Sequence, residues 1–143
     1  LVYAFVGGIV SQEYFEQVKA IATELGVENQ VIYLGMASPG EEMNGIYNMA
    51  EATLIVSNYE GFCLVCIESL SAGIPTLLCS DTFINIGDGC IECTTDALAG
   101  NVQKIMKLES RKEALDNVAR KTVLERYTWQ KIASDYEETM KTL

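Results

Sequence analysis

Two glutamates, Glu60 and Glu68, flank a glycine turn near the middle of the chain. An ionised carboxylate only accepts hydrogen bonds, so either side chain could hold sugar hydroxyl groups. Glu60 precedes a helix predicted over residues 62–72, and Glu68 lies inside it, about 9 Å along its axis. A nucleoside diphosphate bound by its phosphates at the start of that helix would place its ribose at about the distance of Glu68.

The elements around this turn would position both carboxylates. The apolar run at residues 52–56 predicts a buried strand, Gly61 permits a sharp turn, and Gly73 and Pro75 end the helix. A strand that enters a helix through such a turn leaves the first N–H groups unpaired, and these groups can bind an anion. Two glutamates alone are usually only solvated, but the combination favours a binding site.

This stretch resembles the nucleotide-sugar site of the glycosyltransferase family called group 1, or family 4, which has the GT-B fold. The family pattern is an acidic residue before Gly-Phe-Gly, a second Glu, and a later Gly-x-Pro. The matching residues here are Glu60, Gly61, Phe62, Glu68, Ala72, Gly73 and Pro75. Cys63 replaces the second glycine of the pattern, so we expect the backbone to approach the donor less closely.

The resemblance implies a role for each matching residue. Glu68 would hold the ribose, and Glu60, the candidate catalytic residue, would contact hydroxyl groups of the donor sugar. Backbone N–H groups of residues 62–64 would face phosphate or sugar. The resemblance also favours a donor-binding role for Gly7 and Gly8, which could otherwise be a simple strand-to-helix turn. The donor-binding candidates are Gly7, Gly8, Glu60, Gly61, Phe62, Cys63, Leu64 and Glu68.

The resemblance also implies the reaction. It implies retaining transfer of a sugar from a UDP-, GDP- or ADP-sugar to a glycan, lipid or other acceptor, with no metal ion and no other cofactor. The alternative is a non-catalytic nucleotide-binding or interaction domain with the same fold. A Rossmann-type dinucleotide binder is disfavoured because no strand is followed by Gly-x-Gly-x-x-Gly.

Composition excludes several other classes of function. The net charge of −10, from 10 basic and 20 acidic residues, makes nucleic acid and anionic lipid poor partners. The chain has no histidine, which excludes Ser-His-Asp and Cys-His catalysis within it. Its apolar runs are too short to span a membrane and no signal peptide is visible, so we expect a cytoplasmic protein.

The five cysteines include two Cys-x2-Cys pairs, Cys63 with Cys66 and Cys90 with Cys93, and Cys79 is left over. Two such pairs could bind zinc. However, Cys63 and Cys66 lie one turn apart on the predicted helix among apolar neighbours, where cysteine behaves as a small hydrophobic residue. We therefore expect buried thiols, with neither a metal site nor disulfides.

The remaining pattern predicts an α/β fold over residues 1–143, a doubly wound, Rossmann-like parallel sheet. Strands are predicted at residues 1–6, 31–34, 52–56 and 76–79, with those at 1–6 and 52–56 buried, and a short one at 90–91. Helices are predicted at 11–25, 41–50, 62–72, 96–106, 111–126 and 129–142. Right-handed crossovers would bring the loops after the strands, including Asp81, to one sheet edge. Asp96 is a predicted helix cap, and Trp129 is predicted to pack in a core or an interface.

The resemblance covers nearly the whole chain but only part of a family member. We therefore expect a fragment, the C-terminal half of a GT-B enzyme without the N-terminal acceptor domain. The first strand and helix of the nucleotide domain, with the family's phosphate-binding Arg and Lys, would also be absent. The family's last helix starts at an aromatic-x-Trp segment, here Tyr127 to Trp129, and packs on the N-terminal domain. An Arg and a Lys upstream of Leu1 would favour the enzyme over the non-catalytic alternative.

Overall fold

The computed structural model describes residues 1–80, 86–107 and 111–142. Strands and helices alternate through the first four strands, which confirms the predicted α/β class. The elements are β1 (Tyr3–Val6), α1 (Gln12–Glu24), a 3-10 helix (Glu28–Gln30), β2 (Val31–Gly35), α2 (Glu41–Met49), β3 (Thr53–Ser57), α3 (Leu64–Ser71), β4 (Thr76–Ser80), β5 (Cys90–Glu92), α4 (Thr95–Lys107), α5 (Arg111–Arg126) and α6 (Trp129–Lys141). The chain forms two compact units, residues 1–43 and 44–143.

In the first unit, β1 and β2 pair in parallel, with Tyr3 opposite Val31. The Ser11 side chain accepts a hydrogen bond from the Tyr14 N–H and caps α1, as its sequence position predicts. The strand predicted over residues 1–6 is present and parallel, although it starts at Tyr3. The prediction that it is buried was wrong, because its residues alternate between half-buried and exposed. Helix α1 contacts this sheet through Phe15, whose ring centroid lies 5.2 Å from that of Tyr33 in β2.

In the second unit, β3, β4 and β5 form a parallel sheet with β4 in the centre. The parallel pairing and the short strand at Cys90 confirm the sequence-based expectation. The helices α3 and α5 pack together beside this sheet. The buried core consists of Ile55, Cys63, Cys66, Ile67, Leu70, Leu78, Ile86, Ala119 and Val123.

The start of α3 differs from the prediction by two residues. The helix begins at Leu64 because Cys63 has φ 53° and ψ 65°, a left-handed conformation that cannot continue into a right-handed helix. Its end agrees with the prediction: Gly73 follows the helix with φ +79°, and the Gly73 N–H donates to the Leu70 carbonyl. The glycine therefore has the left-handed conformation that ends many helices.

Two expectations about the C-terminal helices need correction. Asp96 does not cap α4, because the helix already starts at Thr95, which places Asp96 in its first turn. Trp129 is 83% exposed at the first position of α6, so its predicted place in a core was wrong, and its packing in an interface stays a prediction. The preceding aromatic residue, Tyr127, packs against the core instead. Asp81 lies outside the described residues.

Among the described residues, no helix combines the length and apolar character needed to cross a membrane.

Candidate functional site

Glu60 lies in the loop between β3 and α3. The Ser57 hydroxyl donates a 2.6 Å hydrogen bond to Oε1 of the half-buried Glu60. Hydrogen bonds to an ionised acceptor are stronger than those between neutral groups. Because Ser57 is the last residue of β3, the end of the sheet fixes the direction of this carboxylate. From the sequence, Ser57 marks only the end of a predicted strand, although its spacing of three residues from Glu60 suits such a contact.

Cys63 gives the turn its shape. It is the only non-glycine residue with a positive φ in the described part of the chain. A left-handed conformation costs an L-residue with a Cβ about 1–2 kcal/mol. The side chain is buried in the core cluster, and this burial raises the pKa of the thiol, with a further contribution from the Glu60 carboxylate. The chain thus keeps, with a cysteine, a conformation that glycine adopts without strain.

The first turn of α3 offers unpaired N–H groups. The first N–H groups of an α-helix have no partner within the helix, and the Cys63 side chain makes no capping hydrogen bond. These groups belong to Leu64 and Val65, whereas the prediction placed them at residues 62–64. The positive end of the helix dipole lies at the same point. An anion could therefore bind here, slightly farther along the chain than expected.

Glu68 lies on the exposed side of α3. Because the helix starts at Leu64, Glu68 is about 6 Å along its axis and not about 9 Å. The Tyr47 hydroxyl, from α2, donates a 3.0 Å hydrogen bond to Glu68 Oε2. Tyr47 is buried, and the burial and this hydrogen bond raise the pKa of its phenol. One hydrogen bond leaves the carboxylate with acceptor capacity for two ribose hydroxyls.

Phe62 is the aromatic residue of the turn and is half exposed. Its ring lies edge-on to the Tyr127 ring, with 5.8 Å between the centroids. The Tyr127 hydroxyl donates a 2.9 Å hydrogen bond to the Ile86 carbonyl. Tyr127 therefore connects the turn with the segment before β5. Sequence reasoning missed both Tyr127 and Tyr47 because no local pattern shows where a phenol at the end of a helix or on an apolar face will donate its hydrogen bond.

Gly7 and Gly8 lie after β1, in the first unit. Gly7 has φ +134°; its N–H donates to the Gly35 carbonyl, and its own carbonyl accepts a hydrogen bond from the Tyr33 hydroxyl. Both glycines line a cavity of about 310 Å³ whose other walls include Tyr14 and Tyr33. The second unit brings the other candidates together, since Glu60, Gly61, Phe62, Cys63, Leu64 and Glu68 share one turn and one helix.

The cysteines that lie close together are not the ones that the two Cys-x2-Cys spacings would pair. The Cys66 thiol hydrogen-bonds to Cys90, and the Cys79 sulfur lies 2.9 Å from that of Cys93. All five thiols are free. Residues an odd number apart on a strand point to opposite faces, so Cys90 and Cys93 do not converge. In the described part of the chain, no three acidic or cysteine side chains form a group that could hold a metal ion.

Comparison with known proteins gives three results. Residues 1–122 match the family described as glycosyl transferases group 1. The chain is 28% identical over 131 residues to an uncharacterized glycosyltransferase of Methanocaldococcus jannaschii, covering 87% of the chain and 33% of that protein. It is 26% identical over 138 residues to the lipopolysaccharide 1,2-N-acetylglucosaminetransferase of Salmonella typhimurium, covering 90% of the chain and 35% of that enzyme. The chain thus spans about a third of the curated relatives it matches.

A solved structure has the same fold. The Anabaena protein Alr3699/HepE, crystallised in complex with UDP, superposes with a TM-score of 0.86 at 18% identity. The superposition covers the entire chain and 41% of the Anabaena protein. Such neighbours identify the fold as that of the C-terminal domain of a GT-B glycosyltransferase. Because the family match covers most of the chain, this protein belongs to the group 1 family of glycosyl transferases.

Proposed function

We propose that this chain is the donor-binding domain of a glycosyltransferase that moves a sugar from a nucleoside diphosphate to a glycan, lipid or other acceptor. The observation that carries this proposal is the pair of oriented carboxylates on either side of an uncapped helix start. Ser57 holds Glu60 before the turn, and Tyr47 holds Glu68 after it. Family membership and the complex of the Anabaena protein with UDP support it.

The proposed roles follow from distance and charge. The diphosphate binds at the N–H groups of Leu64 and Val65, which lie at the positive end of the dipole of α3. Glu68, about 6 Å farther along the helix, accepts hydrogen bonds from the ribose. Glu60 contacts the hydroxyl groups of the transferred sugar. Phe62, packed on Tyr127, and Gly61 shape the turn between them.

We also propose that Gly7 and Gly8, in the first unit, are donor-binding residues. Its support is the family resemblance and the cavity that both glycines line. A glycine at such a position lets a ligand approach the backbone closely.

The reaction proposed for the whole protein is retaining and needs no metal ion, as the family resemblance implies. The departing diphosphate carries negative charge, and a chain with a net charge of −10 has little to offset it. The N–H groups at the start of α3, together with basic residues outside these 143, would stabilise the departing diphosphate electrostatically. An N-terminal domain of the same protein would hold the acceptor. We also propose a cytoplasmic location, because free thiols are typical of reducing compartments.

A panel of nucleotides tests this function. UDP-, GDP- and ADP-sugars are added separately to the full-length protein, and its melting temperature is measured. A ligand that binds only the folded state raises the melting temperature in proportion to the logarithm of its concentration. We expect one nucleotide class, with UDP the first candidate, to raise it and the others to have a smaller effect. If all three leave it unchanged at millimolar concentration, the donor-binding function is wrong.

A further inference from the structure

Cys79 and Cys93 face each other across two neighbouring strands. Cys79 is in β4, and Cys93 directly follows β5. The register pairs Leu78 with Glu92, and the Cys93 N–H donates a 3.0 Å hydrogen bond to the Leu78 carbonyl. This bond continues the ladder by one residue and places Cys93 beside Cys79. The two sulfur atoms are 2.9 Å apart.

This placement meets the distance requirements of a disulfide. Neighbouring strands lie about 4.7–4.9 Å apart, and bridged cysteines have Cα atoms about 4.4–6.8 Å apart. The two sulfur atoms need to approach by about 0.9 Å to reach the bond length of about 2.05 Å. We propose that Cys79 and Cys93 are a site of reversible oxidation, at which a hydroperoxide converts the two thiols into an intramolecular disulfide.

The reaction balances without help from the rest of the protein. The Cys93 thiolate attacks the hydroperoxide, whose O–O bond breaks; Cys93 becomes a sulfenic acid and an alcohol leaves, or water when the oxidant is hydrogen peroxide. The Cys79 sulfur then attacks the Cys93 sulfur and releases water. Two thiols lose two electrons and two protons in total, and the hydroperoxide is reduced. A dithiol reductant reverses the change by thiol–disulfide exchange.

Accessibility sets the order of these steps. Cys93 is half-buried and can meet the oxidant, whereas Cys79 is only 4% exposed. Burial, then the hydrogen bond with Cys93, raises the pKa of Cys79 to about 11. A small thiolate fraction makes the second step slow at neutral pH. The site therefore responds to sustained rather than brief exposure, as expected for a thiol pair that stays reduced in an unstressed cell.

The Cys66–Cys90 contact provides an internal comparison. Cys66, in α3, is fully buried, so an oxidant in solution does not reach it, whereas its partner Cys90 is half-buried like Cys93. Cys63, at 6% exposure, is similarly protected. We expect oxidation to select Cys79 with Cys93, because β4 and β5 hold these two residues in register. Cys66 lies on a helix, and the hydrogen bond with Cys90, then burial, raise the pKa of its thiol, so it is a poor nucleophile toward a sulfenic acid on Cys90. This choice of pair depends on the fold. Spacing in the sequence alone would instead favour a bond between Cys90 and Cys93.

Mass spectrometry tests the site directly and independently of the proposed transferase function. The reduced protein is treated with hydrogen peroxide, denatured, alkylated with iodoacetamide, digested and analysed without reduction. We expect a peptide pair linked through Cys79 and Cys93, which disappears when dithiothreitol is added. Cys63 and Cys66 should be alkylated, and no peptide linked through Cys90 should appear. The melting temperature of the oxidised protein should rise by several degrees, because the bond constrains the unfolded chain.

Serine variants complete the test. Cys93→Ser should abolish the linked peptide and the rise in melting temperature, whereas Cys90→Ser should keep both. Cys79 is buried, so Cys79→Ser could prevent folding. Cys93 is half-buried, and Cys93→Ser can then still be compared with Cys90→Ser. A disulfide between another pair, or complete alkylation of Cys79 and Cys93 after treatment with peroxide, would overturn the proposal. An oxidised protein that melts at a lower temperature would also contradict it.

Discussion

Two other side chains orient the carboxylates of Glu60 and Glu68. The sequence around those two side chains does not reveal this role. Ser57 holds Glu60 within the same loop, whereas Tyr47 reaches Glu68 from another helix. The two glutamates could be selected from residue type and spacing alone. Their hydrogen-bond partners could not, because contacts between separate elements depend on how α2 packs against α3.

Cys63 allows a test of backbone strain at the turn. Cys63→Gly and Cys63→Ala both remove the buried thiol, but only glycine adopts φ 53° without cost. We expect the glycine variant to be more stable than the alanine variant by about 1 kcal/mol. Urea unfolding of the two variants measures the difference. An alanine variant at least as stable as the glycine variant would show that the turn relaxes and stores no strain.

At the scale of elements, Tyr127 links the turn to the segment before β5. Tyr127→Phe keeps the ring against Phe62 but removes the hydrogen bond to the Ile86 carbonyl. We expect a loss of about 0.5–1.5 kcal/mol in the free energy of unfolding. Tyr127→Leu should cost more because it also removes the ring contact. The two variants are compared by denaturant unfolding, and equal stabilities would mean that the ring contact contributes nothing.

The cysteines give a second prediction at this scale, that purified protein contains well under one equivalent of zinc. The four cysteines of the two Cys-x2-Cys pairs do not converge, because Cys90 meets Cys66 while Cys93 meets Cys79. Elemental analysis of protein prepared without added zinc measures the content. Stoichiometric zinc, together with unfolding by a chelator, would contradict the prediction.

Most elements could be predicted from the sequence, and the misplaced boundaries have specific physical causes. Apolar runs, Ser11 and Gly73 located strands and helix ends correctly because these signals are local. The start of α3 was misplaced because a left-handed cysteine is rare and residue type does not indicate it. The exposure of Leu1 and Val2 could not be predicted either, since an apolar run does not reveal what covers it.

For the whole molecule, we predict that the 143-residue chain alone has no transferase activity. Catalysis needs donor and acceptor held in attack geometry, and that alignment can supply roughly 7–11 kcal/mol of the barrier. The chain spans about a third of its curated relatives, and the acceptor site is proposed to lie elsewhere in the full protein. The chain is incubated with nucleotide sugars and acceptor extracts, and nucleoside diphosphate release is assayed. Turnover at the rate of the full-length protein would show that the active site is complete here.

At this scale, the sequence predicted the family correctly because its signature is a linear pattern, from Glu60 to Pro75. The donor, acceptor and stereochemistry could not be derived from the residues, because they depend on contacts with molecules and chain segments outside these elements. What the chain itself determines is the position of Glu68, the proposed ribose carboxylate, relative to the start of α3.

Titration calorimetry of the full-length protein with its preferred nucleoside diphosphate tests that placement most directly. Glu68→Gln removes the charge of the proposed ribose acceptor and should weaken binding by roughly 1.5–3 kcal/mol. The matched control is Glu125→Gln, an exposed glutamate on α5, which should bind like the wild type. Circular dichroism first establishes that both variants are folded. If Glu68→Gln binds the nucleotide as tightly as the wild type, Glu68 does not hold the ribose and the proposed site is wrong.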